Sequence, residues 1–198
     1  MTTQYRIQRR RRLGLIAATL LGSLTVSACS RTGSEAGAGK KDTPAIAKTL
    51  RLGQPSPETQ DISRYNKTGK FIITPQKVVE GKPEDLRDLG DDNKYANQKL
   101  VWVYVNAKLT GGDAVKGPMM MTNIGAEAGA GHTATQLILI GDLSGRPKDC
   151  VGEDTEAAWK QGDTRTVCAP YLIPAASKVT QVTYFRGFHA EPLKWAVQ

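Results

Sequence analysis

The chain has 198 residues, with 27 Lys and Arg against 19 Asp and Glu, a formal net charge of +8. The excess is concentrated at the start. Arg6, Arg9, Arg10, Arg11 and Arg12 lie in the first 28 residues, which hold no acid, so residues 29–198 carry 22 bases against 19 acids, or +3. That balance leaves no strong basic stripe and excludes a nucleic-acid binder, while 170 residues suffice for one domain with a real core.

Residues 1–28 read as a lipoprotein signal peptide. The five arginines form a positive n-region, and Leu13–Leu24 is an apolar h-region of 12 residues, short of the ~20 that a membrane-spanning helix needs. Ser27 and Ala28 supply small residues for processing. Cys29 follows them directly, in the run Leu24-Thr25-Val26-Ser27-Ala28-Cys29-Ser30. This run resembles the bacterial lipobox, in which the thiol takes a diacylglyceryl group and becomes the mature N-terminus. The run Arg9–Leu13 also resembles a twin-arginine signal, so either export route is open. Two acyl chains hold a protein durably where one is marginal. Cys29 is therefore the expected lipid attachment, and the expected location is the extracytoplasmic face of the cell membrane. The membrane, reached through that N-terminal lipid, is the first expected partner.

Residues 29–48 have little with which to build a core. Arg31 to Pro44 is Gly, Ala, Ser and charge, the composition of a flexible tether. A coil of this length spans ~20–25 Å. Arg31, Lys40 and Lys41 would then lie within reach of anionic headgroups, although a solvated linker accounts for them equally well.

From Thr49 the pattern changes to short apolar runs between turn residues, the signature of an all-β domain over 49–198. Thr49–Leu52 is a first short strand. Phe71–Val79 is a second, and Pro75 within it requires an edge or a bulge. Glu80–Asn97 is polar and acid-rich and reads as a long loop. Lys99–Thr110 is the clearest strand: Val101, Val103, Val105, Ala107 and Leu109 alternate onto one face, and Leu100, Trp102 and Tyr104 share the other. One face is core and the other is partly covered. Thr110–Asp113 is a turn. Met119–Ile124 is a strand, and Leu137–Ile140 is a short buried one ended by Gly141-Asp142. Thr155–Trp159 makes a helical turn. Gln161–Asp163 is a turn before a strand over Thr164–Ile173, with Pro170 and Pro174 as breaks. Val179–Phe185 and Leu193–Val197 close the domain. About eight strands with no long amphipathic helix point to an antiparallel β-sandwich.

With Cys29 lipidated, Cys150 and Cys168 remain. An even pair in an oxidising compartment is most simply a disulfide, and closing a loop of that size is worth ~3 kcal/mol in loop-closure entropy.

Three segments carry a family resemblance. They are Leu100–Ala107 followed by the Gly111-Gly112-Asp113 turn, the Gln161-Gly162-Asp163 turn before Thr166–Pro174, and the closing pair Val179–Tyr184 and Leu193–Val197. Over about Phe71–Val197 the chain resembles the immunoglobulin-like domain family of secreted and lipid-anchored proteins of Gram-positive bacteria, actinobacteria especially, whose fold is shared with a secreted mycobacterial antigen. The resemblance implies an immunoglobulin-like sandwich and carries no catalytic residues. The Glu80–Asn97 stretch departs from it as an insertion.

Candidate sites are few. Glu84, Asp85, Asp88, Asp91 and Asp92 could offer loop oxygens to Ca²⁺, but Lys82, Arg87 and Lys94 offset them and a solvated loop is the simpler account. Met119, Met121 and His132 are soft donors for Cu(I) if they converge; core packing with one exposed thioether explains the methionines more simply. His132 and His189, the two histidines, stand beside no obvious nucleophile. Gly141–Gly145 is not a nucleophile elbow. Trp102 and Trp195 are expected in the core, and Trp159, inside the cysteine loop, is the expected exposed aromatic. No catalytic residue and no cofactor are expected. The resulting expectation is a non-catalytic binding module with an envelope or extracellular protein partner, using Glu80–Asn97 and Cys150–Cys168; Asp88, Asp91, Asp92 and Trp159 are its candidate contacts. A small-ligand or copper-binding lipoprotein and, behind it, a hydrolase are the alternatives.

Overall fold

The computed structural model describes residues 49–198, apart from Asp91, Ile140 and Asp142. The expected signal peptide, Cys29 and the expected tether lie outside the described residues. Twelve strands occur in chain order among those described: β1 Leu50–Arg51, β2 Gln60–Arg64, β3 Lys67–Glu80, β4 Gln98–Gly112, β5 Val115–Lys116, β6 Ile124–Ala128, β7 His132–Thr133, β8 Thr135–Gln136, β9 Ala158–Trp159, β10 Thr164–Pro174, β11 Val179–Tyr184 and β12 Leu193–Ala196. One sheet runs β1-β12-β11-β6-β7 and the other β2-β3-β4-β10-β8, with β5-β9 as a separate ribbon. All pairs are antiparallel except β1 with β12. The fold class expected from the sequence, an all-β sandwich, is the one observed.

β4 is the axis of the molecule. It pairs with β3 from Gly69↔Gly112 to Glu80↔Val101, and with β10 from Thr164↔Lys108 to Pro174↔Gln98. Val101, Val103, Val105, Ala107 and Leu109 are fully buried against the facing sheet, which contributes Ile124, Ala126, Val182, Tyr184 and Trp195. Each Val, Leu or Ile among them contributes about 1.5–3 kcal/mol by leaving water. Tyr171 ties the layers together: its hydroxyl crosses from β10 and donates to the Ile124 carbonyl at 2.9 Å. The opposite face of β4 is equally dry. Leu100, Trp102 and Tyr104 pack with Leu86, Leu143, Leu172 and the two cysteines in a second core. Two-sided burial is why this strand reads as an almost unbroken apolar run.

That second core has a roof, and there the structure departs from the sequence reading. Glu80–Asn97 is not a plain loop: Pro83–Leu89 is a 3₁₀ helix and Asp92–Tyr95 a single α-helical turn. Leu86 and Leu89 from this stretch reach down onto β4, an apolar pair hidden among acids in the sequence. Met119–Ile124 is not a strand either. Met120–Asn123 forms a 3₁₀ turn, and β6 begins at Ile124. Leu137–Leu139 has no ladder, and Ile138 is 92% exposed. Thr155–Trp159 holds no helical turn; Ala158 and Trp159 pair with β5. Gly111 and Gly112 extend β4 rather than turning away from it.

Two prolines behave according to which side of the strand they leave bare. Pro170 does not break β10. Its carbonyl accepts from the Leu137 N–H at 2.9 Å, so that side of the residue faces away from β4, and the absent N–H removes nothing from the β4 ladder. Pro75 sits at a register shift in β3, and its carbonyl faces the Gly53 N–H at 2.7 Å, outside the ladder. Of the edge or bulge anticipated for it, the bulge is present; β3 itself lies between β2 and β4. The β2–β3 hairpin escaped the sequence reading. Its two-residue turn, Tyr65-Asn66, has φ of 51° and 59°, the left-handed pair that a tight hairpin demands.

Candidate functional site

Among its described residues the segment Leu137–Ala157 carries no strand, so the disulfide, side-chain contacts and single backbone hydrogen bonds hold it. Cys150 and Cys168 are bonded, with 5.2 Å between their Cα atoms. Cys168 lies on β10, and its N–H donates to the Val151 carbonyl at 2.8 Å. Beside the bridge, Asp149 accepts from the Tyr104 hydroxyl at 2.7 Å and from Lys77 Nζ at 2.6 Å, while that ammonium also lies over the Tyr104 ring. The Lys77 hydrogen bond, and then that of Tyr104, hold the Asp149 carboxyl below the ordinary aspartate range. Burial first, and then the Asp149 bond, push the Tyr104 phenol up to about 12.

Between this braced segment and the sandwich lies a cleft of about 280 Å³. Trp102 and the Cys150–Cys168 bridge form part of its floor, and Met121, Leu137 and Leu139 line it. Ile138 and Met119, the latter 38% exposed, belong to the lining and are open to solvent. Met119 is held there by a left-handed backbone, φ 53°. Alongside Arg146, the charge on the wall is that of Glu153. Its two carboxylate oxygens accept from the N–H groups of Met120 (2.7 Å) and Met121 (3.1 Å), the otherwise unsatisfied donors at the start of the 3₁₀ turn. Burial raises the Glu153 carboxyl above the ordinary glutamate range, opposed by those N–H groups and by the charge of Arg64. Trp102 adds a polar demand. Its indole N–H is buried and finds no acceptor among the described residues, whereas the Trp195 indole donates to the Gln54 carbonyl at 2.8 Å. Buried donors are nearly always paired.

The other predicted site residues are dispersed. Met119 and Met121 meet at the cleft, but His132 does not join them. Met121 precedes β6 at its Ile124 end, while His132 pairs with Ala128 at the other end, about 13 Å away at ~3.3 Å per residue. The His132 ring nitrogen Nδ1 lies 2.8 Å from the Gly129 carbonyl. The copper arrangement is therefore not assembled. Trp159 is the clearest correction: it is 1% exposed, edge-on to Phe71 at 5.5 Å and roofed by the Arg165 guanidinium at 4.7 Å. The acids do not converge on a cation. Asp85 accepts from the Lys82 N–H at 2.7 Å to close the first turn of its helix. Asp88 accepts from the Ser144 N–H at 2.6 Å and is held below the ordinary aspartate range chiefly by the Ser144 side-chain hydrogen bond. Asp91 lies outside the described residues, and Asp92 begins the α-helical turn. Among the described residues no three His, Cys, Asp or Glu side chains are placed to hold a metal.

Sequence reasoning missed Glu153 and the exposure of Ile138. Glu153 stands among Asp154 and Glu156 and looks like one solvated acid of three. Ile138 lies inside an apolar run that looks buried throughout.

Fold and site together define an all-β sandwich domain with a disulfide-braced outer layer and an apolar cleft beneath it. No family model and no curated protein match the chain. Two solved structures are similar to it. One is MPT63, a secreted protein of Mycobacterium tuberculosis, at 14% identity and a TM-score of 0.49 over 77% of this chain and 99% of that one. The other is YcdA of Bacillus subtilis, provisionally named a lipoprotein, at 9% identity and a TM-score of 0.40 over 68% of this chain and 39% of that one.

Proposed function

We propose that this chain is a lipid-anchored protein of the extracytoplasmic membrane face, and that its sandwich domain is a non-catalytic module that binds an envelope or extracellular protein. The observation that carries the reading is the cleft beside the disulfide, with Ile138 and Met119 open to water. Apolar side chains presented at a concave site, rather than scattered singly, mark an interaction surface. Its volume of about 280 Å³ falls just below the ~300–1,000 Å³ of drug-sized ligand sites. It suits one apolar anchor of a partner, the kind of residue that dominates protein interfaces. The non-catalytic part of the reading is supported by the lining. Neither histidine contributes to it, and both oxygens of Glu153 are engaged by backbone.

The test is photo-crosslinking from position 138 of the full chain in the cells that produce it, with the same probe at the exposed Lys160 as control. A discrete protein adduct at 138, absent at 160 and abolished by Met119→Glu, is the expected outcome. A small-molecule adduct by mass spectrometry would replace the protein partner with a small apolar ligand. Equal labelling at both positions would remove the cleft from consideration.

A further inference from the structure

The loop between β11 and β12 presents two aromatic rings to water. Phe188 is 94% exposed and Phe185 46% exposed, and they stack edge to face at 5.4 Å. The loop is pinned from several directions. Phe185 N–H donates to the Asn123 carbonyl at 2.8 Å. Arg186 Nε donates to the Glu191 carbonyl at 3.1 Å, and the same guanidinium pairs with Glu58. Gly187 turns the chain at φ +88°. The rings are therefore held outward by a pinned loop, and the charge of Arg186 is paired with Glu58.

Topology places this loop beside the point where the chain enters the domain. β1 is the one strand that runs parallel to its neighbour, with Leu50 opposite Trp195 on β12. The N-terminal ends of β1 and β12 thus lie at the same end of the sheet. The aromatic loop feeds β12 at Leu193, two residues or about 7 Å from the level of Leu50. Residues 29–48, 20 residues, separate that point from Cys29.

We propose that the Phe185–Phe188 tip docks into the headgroup boundary of the membrane that holds the Cys29 lipid, so that the domain is oriented on the bilayer and not merely tethered to it. The inference rests on the lipid-anchor reading. Exposed Phe rings bury favourably at the boundary between headgroups and acyl chains, where binding scales with the apolar area inserted. A second attachment beside the lipid benefits from the high effective concentration that a short linker provides.

All three native tryptophans are buried, so an indole introduced at position 188 reports its own surroundings above a shielded background. The acylated full-length protein carrying Phe188→Trp is reconstituted in phosphatidylglycerol–phosphatidylcholine vesicles, with and without brominated lipid. Relative to the unsubstituted protein, the added emission is expected to shift to the blue, to be quenched by the brominated chains and to be protected from iodide. Lys160→Trp, another exposed position, is expected to remain open to iodide. If position 188 stays open to iodide while the protein co-floats with vesicles and mass spectrometry shows the diacylglyceryl group on Cys29, the docking proposal is overturned and the anchor stands. If Cys29 carries no lipid and the protein does not float, the anchor reading and this proposal fall together.

Discussion

Removing the Cys150–Cys168 bridge tests how the outer layer is held. The perturbation is the double variant Cys150→Ala/Cys168→Ala in the mature chain. The bridge closes a sequence separation of 18 residues, for which loop-closure entropy corresponds to about 3 kcal/mol at 25 °C. Both cysteines are buried in the second core with Trp102 and Leu172, so lost packing adds to that value. Equilibrium urea unfolding reads the difference directly. With slopes of about 1–3 kcal/mol/M the midpoint should fall by roughly 1–3 M, and Tm by about 6–12 °C for a domain of this size. The Tyr104–Asp149–Lys77 contacts also hold the segment, but they are partly exposed and cannot supply the same constraint. A loss below about 1 kcal/mol would refute the reasoning: the roof would then be fixed by its side-chain contacts and the bridge would be incidental.

Glu153→Ala strands the Met120 and Met121 N–H groups and should lose about 2–4 kcal/mol, read by urea unfolding; a change within 0.5 kcal/mol, the ordinary surface range, would show that water replaces the carboxylate there. Because burial raises the Glu153 carboxyl in the folded state, its contribution is full below the unfolded value of 4.5 and is lost as pH rises through the folded one. Glu153→Gln should therefore flatten the stability profile above pH 4.5, and an unchanged slope would sink the assignment. Asp149 and Asp88 act in the opposite sense: both are held below the ordinary value of 3.8, so stability from them is present above that pH and declines below it, to be checked by acid titration of Asp149→Asn. Tyr104→Phe should lose about 1–2 kcal/mol by freeing Asp149, measured by calorimetry. Gly117→Ala should lose at least ~2 kcal/mol, because φ is +48° and a Cβ there would collide with the Thr155 carbonyl; a wild-type Tm would contradict the packing described.

Much of the sandwich is written locally. The alternation along Lys99–Thr110 identifies β4 and its core face, because a strand that packs on both sides must carry apolar residues at successive positions. The cysteine pair, left even once Cys29 is set aside as the expected lipid site, identifies the bridge by redox chemistry and arithmetic. Trp102 and Trp195 are in the core as their surroundings suggest. Trp159 is buried as well, because an aromatic beside turn residues reads the same whether or not Phe71 and Arg165 close over it, and those partners lie far away in sequence.

What the sequence by itself determined is the class of fold: an all-β domain built around one long strand, with a disulfide. Strand periodicity and cysteine parity are local properties that one stretch can carry. The cleft, the roof and the aromatic tip were decided only by tertiary structure. Ile138 lies exposed because Pro170 and the Cys150–Cys168 bridge hold Leu137–Leu139 against β10 without a full ladder. Glu153 stands apart from Asp154 and Glu156 because the Met120–Asn123 turn folds onto it. The loop that carries Phe188 feeds β12 near the level of Leu50 because β1 pairs in parallel with a strand more than 140 residues away. Such relations depend on which distant segments pack together, and no window of the sequence contains both sides of them.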